Sequence, residues 1–262
     1  NVGSAQVLGE TRAATESGAG VCVGRVVAPN QVRVIEIDDA PIAEWRLARE
    51  VAPFVVGEIC VAGPTATESY FGRPEATALA KIRDGETIWH RMGDVGYLDD
   101  AGRLWYAGRK SQRVELADRV LFTAPVEEVL NTHPAVRRTA LVRARVGGAF
   151  EPVVCVERAP GVATPDAELF AELAALADRH AATKGLARFV VHPAFPVDVR
   201  HNAKIGREAL AAWAEGRLEV QVPRDCPNPI PISMGRAPVY AGAKGLEFRG
   251  GQRLVDPLGP SR

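Results

Sequence analysis

Lysine is scarce in this chain, at 5 residues against 27 arginines, so any lysine inside a sharp local pattern is informative. Neither sign of charge is in excess: 32 basic and 32 acidic residues leave a formal net charge of +0. That balance gives no bulk attraction to nucleic acid or to an anionic membrane. No apolar run approaches the length of a membrane span, and the first residues, NVGSAQVLGETRAATE, lack the pattern of a signal peptide. The four cysteines, Cys22, Cys60, Cys155 and Cys226, are far apart, with no C-x-x-C and no metal-ligand spacing. They read as free thiols of a reducing compartment, the cytoplasm. No lysine follows a glycine, which excludes a G-x-x-x-x-G-K phosphate loop within the chain. The stretch GAGVCVG at 18–24 misses the G-x-G-x-x-G spacing by one residue and leads into a strand, against a dinucleotide fold. No H-E-x-x-H, G-x-S-x-G or Cys/His zinc pattern occurs. His133 and His192, each before a proline, read as turn residues.

What is present suits a soluble globular protein: 47% hydrophobic and 24% charged residues, enough to bury a core. The 262 residues fit one large domain or two smaller ones. The chain starts without Met, mid-pattern, as though cut. Strand signals at 32–37 (VRVIEI) and 57–63 (GEICVAG) flank APIAEWRLARE, a short helix or an insertion. RPEATALAKI at 73–82 predicts a helix with Pro74 in its first turn. Residues 1–109 thus read as mostly short antiparallel strands with one or two helices.

Beyond Lys110 the pattern changes. PVEEVLNTH predicts a helix with Pro125 in its first turn, and RTALVRARV (138–146) and EPVVCVE (151–157) predict strands around the turn GGAF. PDAELFAELAALADRHAA (165–182) is the clearest helix, with Leu169, Phe170, Leu173, Leu176 and Ala177 on one face. ARFVVHPAFP predicts a strand entering a loop, and REALAAWAE a last helix. Residues 110–216 therefore form an expected α+β domain. Residues 217–262 hold seven Pro and six Gly with little apolar periodicity and read as a disordered tail.

Residues 89–110, WHRMGDVGYLDDAGRLWYAGRK, predict a hairpin: GYL and RLWY as strands, DDAG as the turn, with Gly102 free to take positive φ. A hairpin returns the chain to its start, so Asp94 and Arg109 are expected to face one site. Three stretches then stand in order: GEICVAGPTATESYFGRPEATALAKI (57–82), RMGDVGYLDDAGRLWYAGR (91–109) and FPVDVRHNAKIGREAL (195–210). This succession resembles the last part of the adenylate-forming ligases, the family of acyl-CoA synthetases, peptide-synthetase adenylation domains and luciferases. There a G-E-[IL]-x-[IV]-x-G-P run precedes R-G-Y and R-P-E, then T-G-D, a G-R pair and P-x-x-x-x-G-K-[IV]. The likeness runs from about residue 18 to about 215. It implies the β-rich end of the large domain over 1–109, followed by a small mobile α+β C-terminal domain.

The resemblance also implies roles. Asp94 would grip the ribose, its two carboxylate oxygens accepting from two adjacent hydroxyls, and Arg109 would add planar donors toward ribose or phosphate. Lys204, on a loop before the last helix, matches the family's adenylation lysine, with Ala203 where glycine is usual. Lys110 and Ser111 fall at the family's hinge, where rotation would exchange one catalytic face for another. ATP and Mg²⁺ are the implied cofactors, with no metal-ligating residue assigned here.

Within the family, GRKSQRVELADRVLFTAPVEEVLNTHPAVRRTALV and RHNAKI are most similar to the olefin β-lactone synthetases of bacterial long-chain hydrocarbon biosynthesis. No glycine stands between Arg109 and Val146, where CoA-using members thread pantetheine past the backbone. That group adenylates a long-chain 2-alkyl-3-hydroxy acid, whose own β-hydroxyl then displaces AMP. Its partners are ATP, the hydroxy acid and other hydrocarbon-pathway enzymes. Two other expectations stand beside it: a long-chain fatty-acid CoA ligase, and a truncated, non-catalytic binding module. The family's phosphate-binding loop lies in an N-terminal region absent from these residues, so the isolated chain is expected not to adenylate efficiently.

Overall fold

A computed structural model describes residues 3–198 and 204–219. The expected tail therefore lies outside the described residues, apart from residues 217–219, which belong to the last helix. A helical run, α1 (residues 4–19), opens the chain with alternating α and π turns and was not anticipated. It ends where Gly18 and Gly20 take positive φ.

Six strands then build one antiparallel sheet: β1 (Val21–Arg25), β2 (Gln31–Ile35), β3 (Gly57–Ala62), β4 (Lys81–Asp84), β5 (Thr87–Leu98) and β6 (Arg103–Arg109). Their order is β1-β6-β5-β3-β2, with β4 also paired to β5. The stretch between β2 and β3 is neither a full helix nor a free insertion. It makes one 3₁₀ turn, Trp45–Leu47, and seats Trp45 against buried Trp89, 4.7 Å between ring centres. The predicted helix at 73–82 is shorter: α2 (Pro74–Ala80) ends as Lys81 enters β4.

The second sheet has three strands, β9 (Val136–Val146), β10 (Ala149–Arg158) and β11 (Phe189–Val191). The middle strand β10 is antiparallel to β9 and parallel to β11. Alternate residues serve opposite faces, the consequence of a two-residue strand period. Leu141, Val154 and Val156 join the core built with α3 (Thr123–Leu130) and α4 (Asp166–Asp178), including Val126, Leu169 and Leu173. Ala140, Val142, Val153 and Cys155 face the other way, onto Leu210, Ala214 and Leu218 of α5 (Arg207–Glu219). Burial on both faces is why VVCV is an unbroken apolar run. Phe170 is partly buried and stacks on Phe189.

Between the sheets, residues 110–112 make a 3₁₀ turn, followed by a two-stranded ribbon of β7 (Val114–Glu115) and β8 (Val120–Leu121). The architecture is α+β, and no described helix is long and apolar enough to cross a membrane.

Candidate active site

The β5–β6 hairpin forms as the sequence predicts, and its turn is organised by Asp99. Oδ1 of Asp99 accepts from the Ala101 and Arg103 N–H groups at 3.0 and 2.8 Å. Oδ2 accepts from Arg103 Nε and Trp105 Nε1 at 2.6 and 3.0 Å. Gly102 takes φ +69°, the left-handed region that the turn requires. Burial alone would raise the Asp99 pKa, but these donors hold it below the ordinary carboxylate range.

Two irregularities aim the far end of the hairpin. Across β3 and β5, the step from Glu58 to Cys60 is matched by the step from Val95 to Arg91, so β5 bulges around Gly93, at φ +69°. On β6, Gly108 takes φ +135° and lies so close to Thr123 that a Cβ would sit 2.3 Å from its hydroxyl. The neighbours of these two glycines, Asp94 and Arg109, are directly paired in the ladder. Arg109 Nη1 lies 3.1 Å from Asp94 Oδ1 and donates to the Met92 carbonyl at 3.4 Å. Asp94 Oδ1 is buried yet receives no well-directed hydrogen bond. Burial pushes the Asp94 carboxyl above its ordinary value, the nearby Arg109 charge opposing this.

Arg109 opens onto a cleft of about 1290 Å³, whose wall also includes Tyr106, Ser111, Arg113, Arg143, Phe150, Lys204 and Arg207. Arg109 and Lys204, 95 positions apart in the chain, thus share one cavity. Lys204 is exposed, just before the bridge that pairs Ile205 with Val197. Five cationic side chains line the cleft with one acidic one, Glu208, but Arg109 is already paired with Asp94. Arg113 is matched by Asp39 and Glu115, and Arg207 by Glu127. Arg143 rests instead on the Phe150 ring, 3.9 Å from its centre.

Lys110 turns away from this cleft. Its ammonium lies 3.1 Å from Oε1 of Glu58, a carboxylate only 1% exposed, and donates to the Asp38 carbonyl at 2.8 Å. Arg91, equally buried, donates to the same carboxylate at 2.7 Å. Ser111, the other expected hinge residue, lines the cleft. Tyr106, Arg143 and the Glu58–Arg91 pair were not legible as site features. The available hints were a Glu and an Arg at strand positions otherwise occupied by core residues. Cys22, Cys60 and Cys155 are free and buried, and Cys226 lies outside the described residues. Among the described residues no group of three or more His, Cys, Asp or Glu is placed to hold a metal ion.

No family model matches the chain. It is 60% identical over 217 residues to an olefin β-lactone synthetase of Stenotrophomonas maltophilia (strain K279a), aligning 81% of this chain with 39% of that protein. The corresponding figures for an olefin β-lactone synthetase of Xanthomonas campestris pv. campestris are 56% over 215 residues, 80% and 39%. Among solved structures, the O-succinylbenzoate coenzyme A synthetase of Bacillus subtilis in complex with AMP superposes with a TM-score of 0.57 at 28% identity, over 72% of this chain and 35% of that one. The amide bond synthetase of Marinactinospora thermotolerans gives 0.60 at 27% identity, over 74% and 36%.

The chain belongs to the adenylate-forming acyl synthetases, and its fold is that of their C-terminal part. The two relatives that it matches at 60% and 56% identity are olefin β-lactone synthetases, and it spans about two fifths of their length.

Proposed function

We propose that this chain is part of an ATP-dependent synthetase that activates a long-chain 2-alkyl-3-hydroxy acid as its acyl adenylate and then closes it to a β-lactone. The observation that supports this most is the 60% identity to an olefin β-lactone synthetase, maintained over 81% of the chain. In the first step a carboxylate oxygen of the acid attacks the α-phosphorus of ATP. The bond to the bridging oxygen breaks and diphosphate leaves. Asp94 accepts from the ribose hydroxyls, satisfying its buried oxygen, while Arg109 supplies planar donors beside it. The Lys204 ammonium meets the carboxylate and α-phosphate oxygens as charge shifts between them.

In the second step the acid's own β-hydroxyl oxygen attacks the acyl carbon. AMP leaves, the hydroxyl proton passes to solvent, and a four-membered ring closes. An oriented internal nucleophile has an effective concentration on the order of 10⁵ M or more, so no thiol substrate is needed. The Lys110–Ser111 turn is the proposed hinge between the steps, dividing residues 1–109 from 110–216. Mg²⁺ would arrive with the triphosphate. By analogy with the olefin β-lactone synthetases that it resembles, the product would enter an olefin-forming sequence with other hydrocarbon-pathway enzymes.

The test is diphosphate release by the full-length protein from ATP and a 3-hydroxy acid without CoA, with the organic product analysed by mass spectrometry. A β-lactone plus AMP is expected. Product only when CoA is added, as an acyl thioester, would replace this reading with that of a fatty-acid CoA ligase.

A further inference from the structure

The Lys204 ammonium meets no hydrogen-bond acceptor among the described residues, so its position depends on how its backbone is held. Two backbone bonds flank it: Asp198 N–H to the Lys204 carbonyl at 3.0 Å, and Gly206 N–H to the Pro196 carbonyl at 2.8 Å. Arg207, three residues on and the first of α5, anchors this segment to two other elements. Its two terminal nitrogens grip Oε1 and Oε2 of Glu127 from α3, the second at 2.7 Å. The same guanidinium donates to the Leu141 carbonyl of β9 at 3.1 Å, and the Leu141 N–H donates to Glu127 Oε1 at 2.8 Å. The pair is shielded from solvent, with side chains 16% and 11% exposed.

Although Arg207 lines the cleft, three of its five N–H groups point inward to protein acceptors. That commitment suits a brace better than a ligand contact. A two-point guanidinium–carboxylate fork also fixes orientation in a way a single ammonium cannot. We propose that Arg207 and Glu127 are positioning residues that hold the Lys204 segment against the second sheet, so that the lysine is presented to the cleft in one orientation. This rests on the adenylation reading for its kinetic consequence, but not for the brace itself.

The test uses Arg207→Lys and the double variant Glu127→Leu with Arg207→Met. The double variant removes both charges together, because deleting one partner alone leaves a buried, uncompensated charge that threatens the fold. Hydrogen exchange on the purified chain is expected to accelerate about tenfold or more at Gly206 and Asp198, with β9 and β10 still protected. In the full-length protein, adenylation turnover should fall about tenfold or more with the KM for ATP within about twofold, because a small misplacement of a catalytic group is costly. Closure from a preformed acyl adenylate should change less than about twofold, since Lys204 serves only the first step.

Unchanged exchange at Gly206 and Asp198 would overturn the brace. Equal losses in adenylation and closure would reduce it to a general structural role and likewise overturn it. Absence of acyl adenylate from the wild-type full-length protein would overturn the activity reading instead, leaving the exchange result to decide the brace.

Discussion

At the scale of single residues, charge and burial decide what each group can do. For the ribose contact proposed for it, Asp94 must be ionised, yet its burial favours the neutral form. Its folded pKa lies above the ordinary value, so ionisation costs stability as pH rises through that pKa, and a bound ribose offsets the cost. Nucleotide affinity should therefore begin to fall at a higher pH than an ordinary aspartate would give as the solution is acidified. Titrating the binding of a fluorescent ATP analogue to the full-length protein measures this, and Asp94→Asn should bind weakly with a flat profile over the same range. Lys204→Ala should slow adenylation by about 10²–10³-fold, the usual loss when one donor to a developing charge is removed. Single-turnover formation of acyl adenylate is the readout, with lactone closure less affected. The Cys60 and Cys155 thiols are pushed up to about 12 by burial, so both should resist aromatic disulfide reagents in the native protein and react on unfolding.

At the scale of elements, the β5–β6 hairpin is the unit that pairs Asp94 with Arg109 and sets Arg109 on the wall of the cleft. Asp99 secures its turn with four donors, and the Asp99→Ala variant should be destabilised by about 1–3 kcal/mol, the cost of stranding buried donors. Because the folded pKa of Asp99 is lowered, its stabilisation is present above the unfolded value near 3.9 and is lost as pH falls through the lower folded value. The gap between the thermal melts of wild type and variant should therefore hold at neutral pH and narrow only as the pH falls below about 4. The hairpin itself was legible, because alternating apolar residues around DDAG admit few other structures. Its bulge was not. Gly93 and the pairing of Val95 with Glu58 depend on a strand more than thirty residues earlier. The helical run at 4–19 was missed for a related reason. Its Gly18 packs beside Val129 of α3 and Ala182, partners far away in the chain.

For the whole molecule, the link between the two sheets is a fastened one. Lys110 reaches the buried Glu58, and Arg113 forks onto Asp39 at 2.6 and 3.3 Å. If residues 110 and 111 are the hinge of a two-step cycle, rotation must exchange these contacts for others. Lys110→Met should then shift the balance between the steps, because it removes the ammonium from one end state while Arg91 still compensates Glu58. The comparison is the ratio of adenylation to closure rates in the full-length protein. An unchanged ratio would show that the latch does not report on the hinge. Arg91→Met is a different case: it withdraws the closer partner of a buried carboxylate, leaving Lys110 to face it, and should lower stability in denaturant unfolding more than Lys110→Met does.

The sequence by itself determined the class of fold, most of the strands and helices, and the order of motifs that leads to Asp94, Arg109 and Lys204. The elements follow from periodicity and turn chemistry, which act over a few neighbouring positions, whereas the three residues stand out through the resemblance of their motifs to those of the adenylate-forming ligases. Only the tertiary structure decided that Arg109 and Lys204 share a cleft, that Lys110 turns inward to Glu58, and that Arg207 forks onto Glu127. Each of those contacts joins residues more than fifty positions apart. A charged side chain becomes a buried anchor only where packing brings it a partner and excludes water, and no local pattern specifies where that happens.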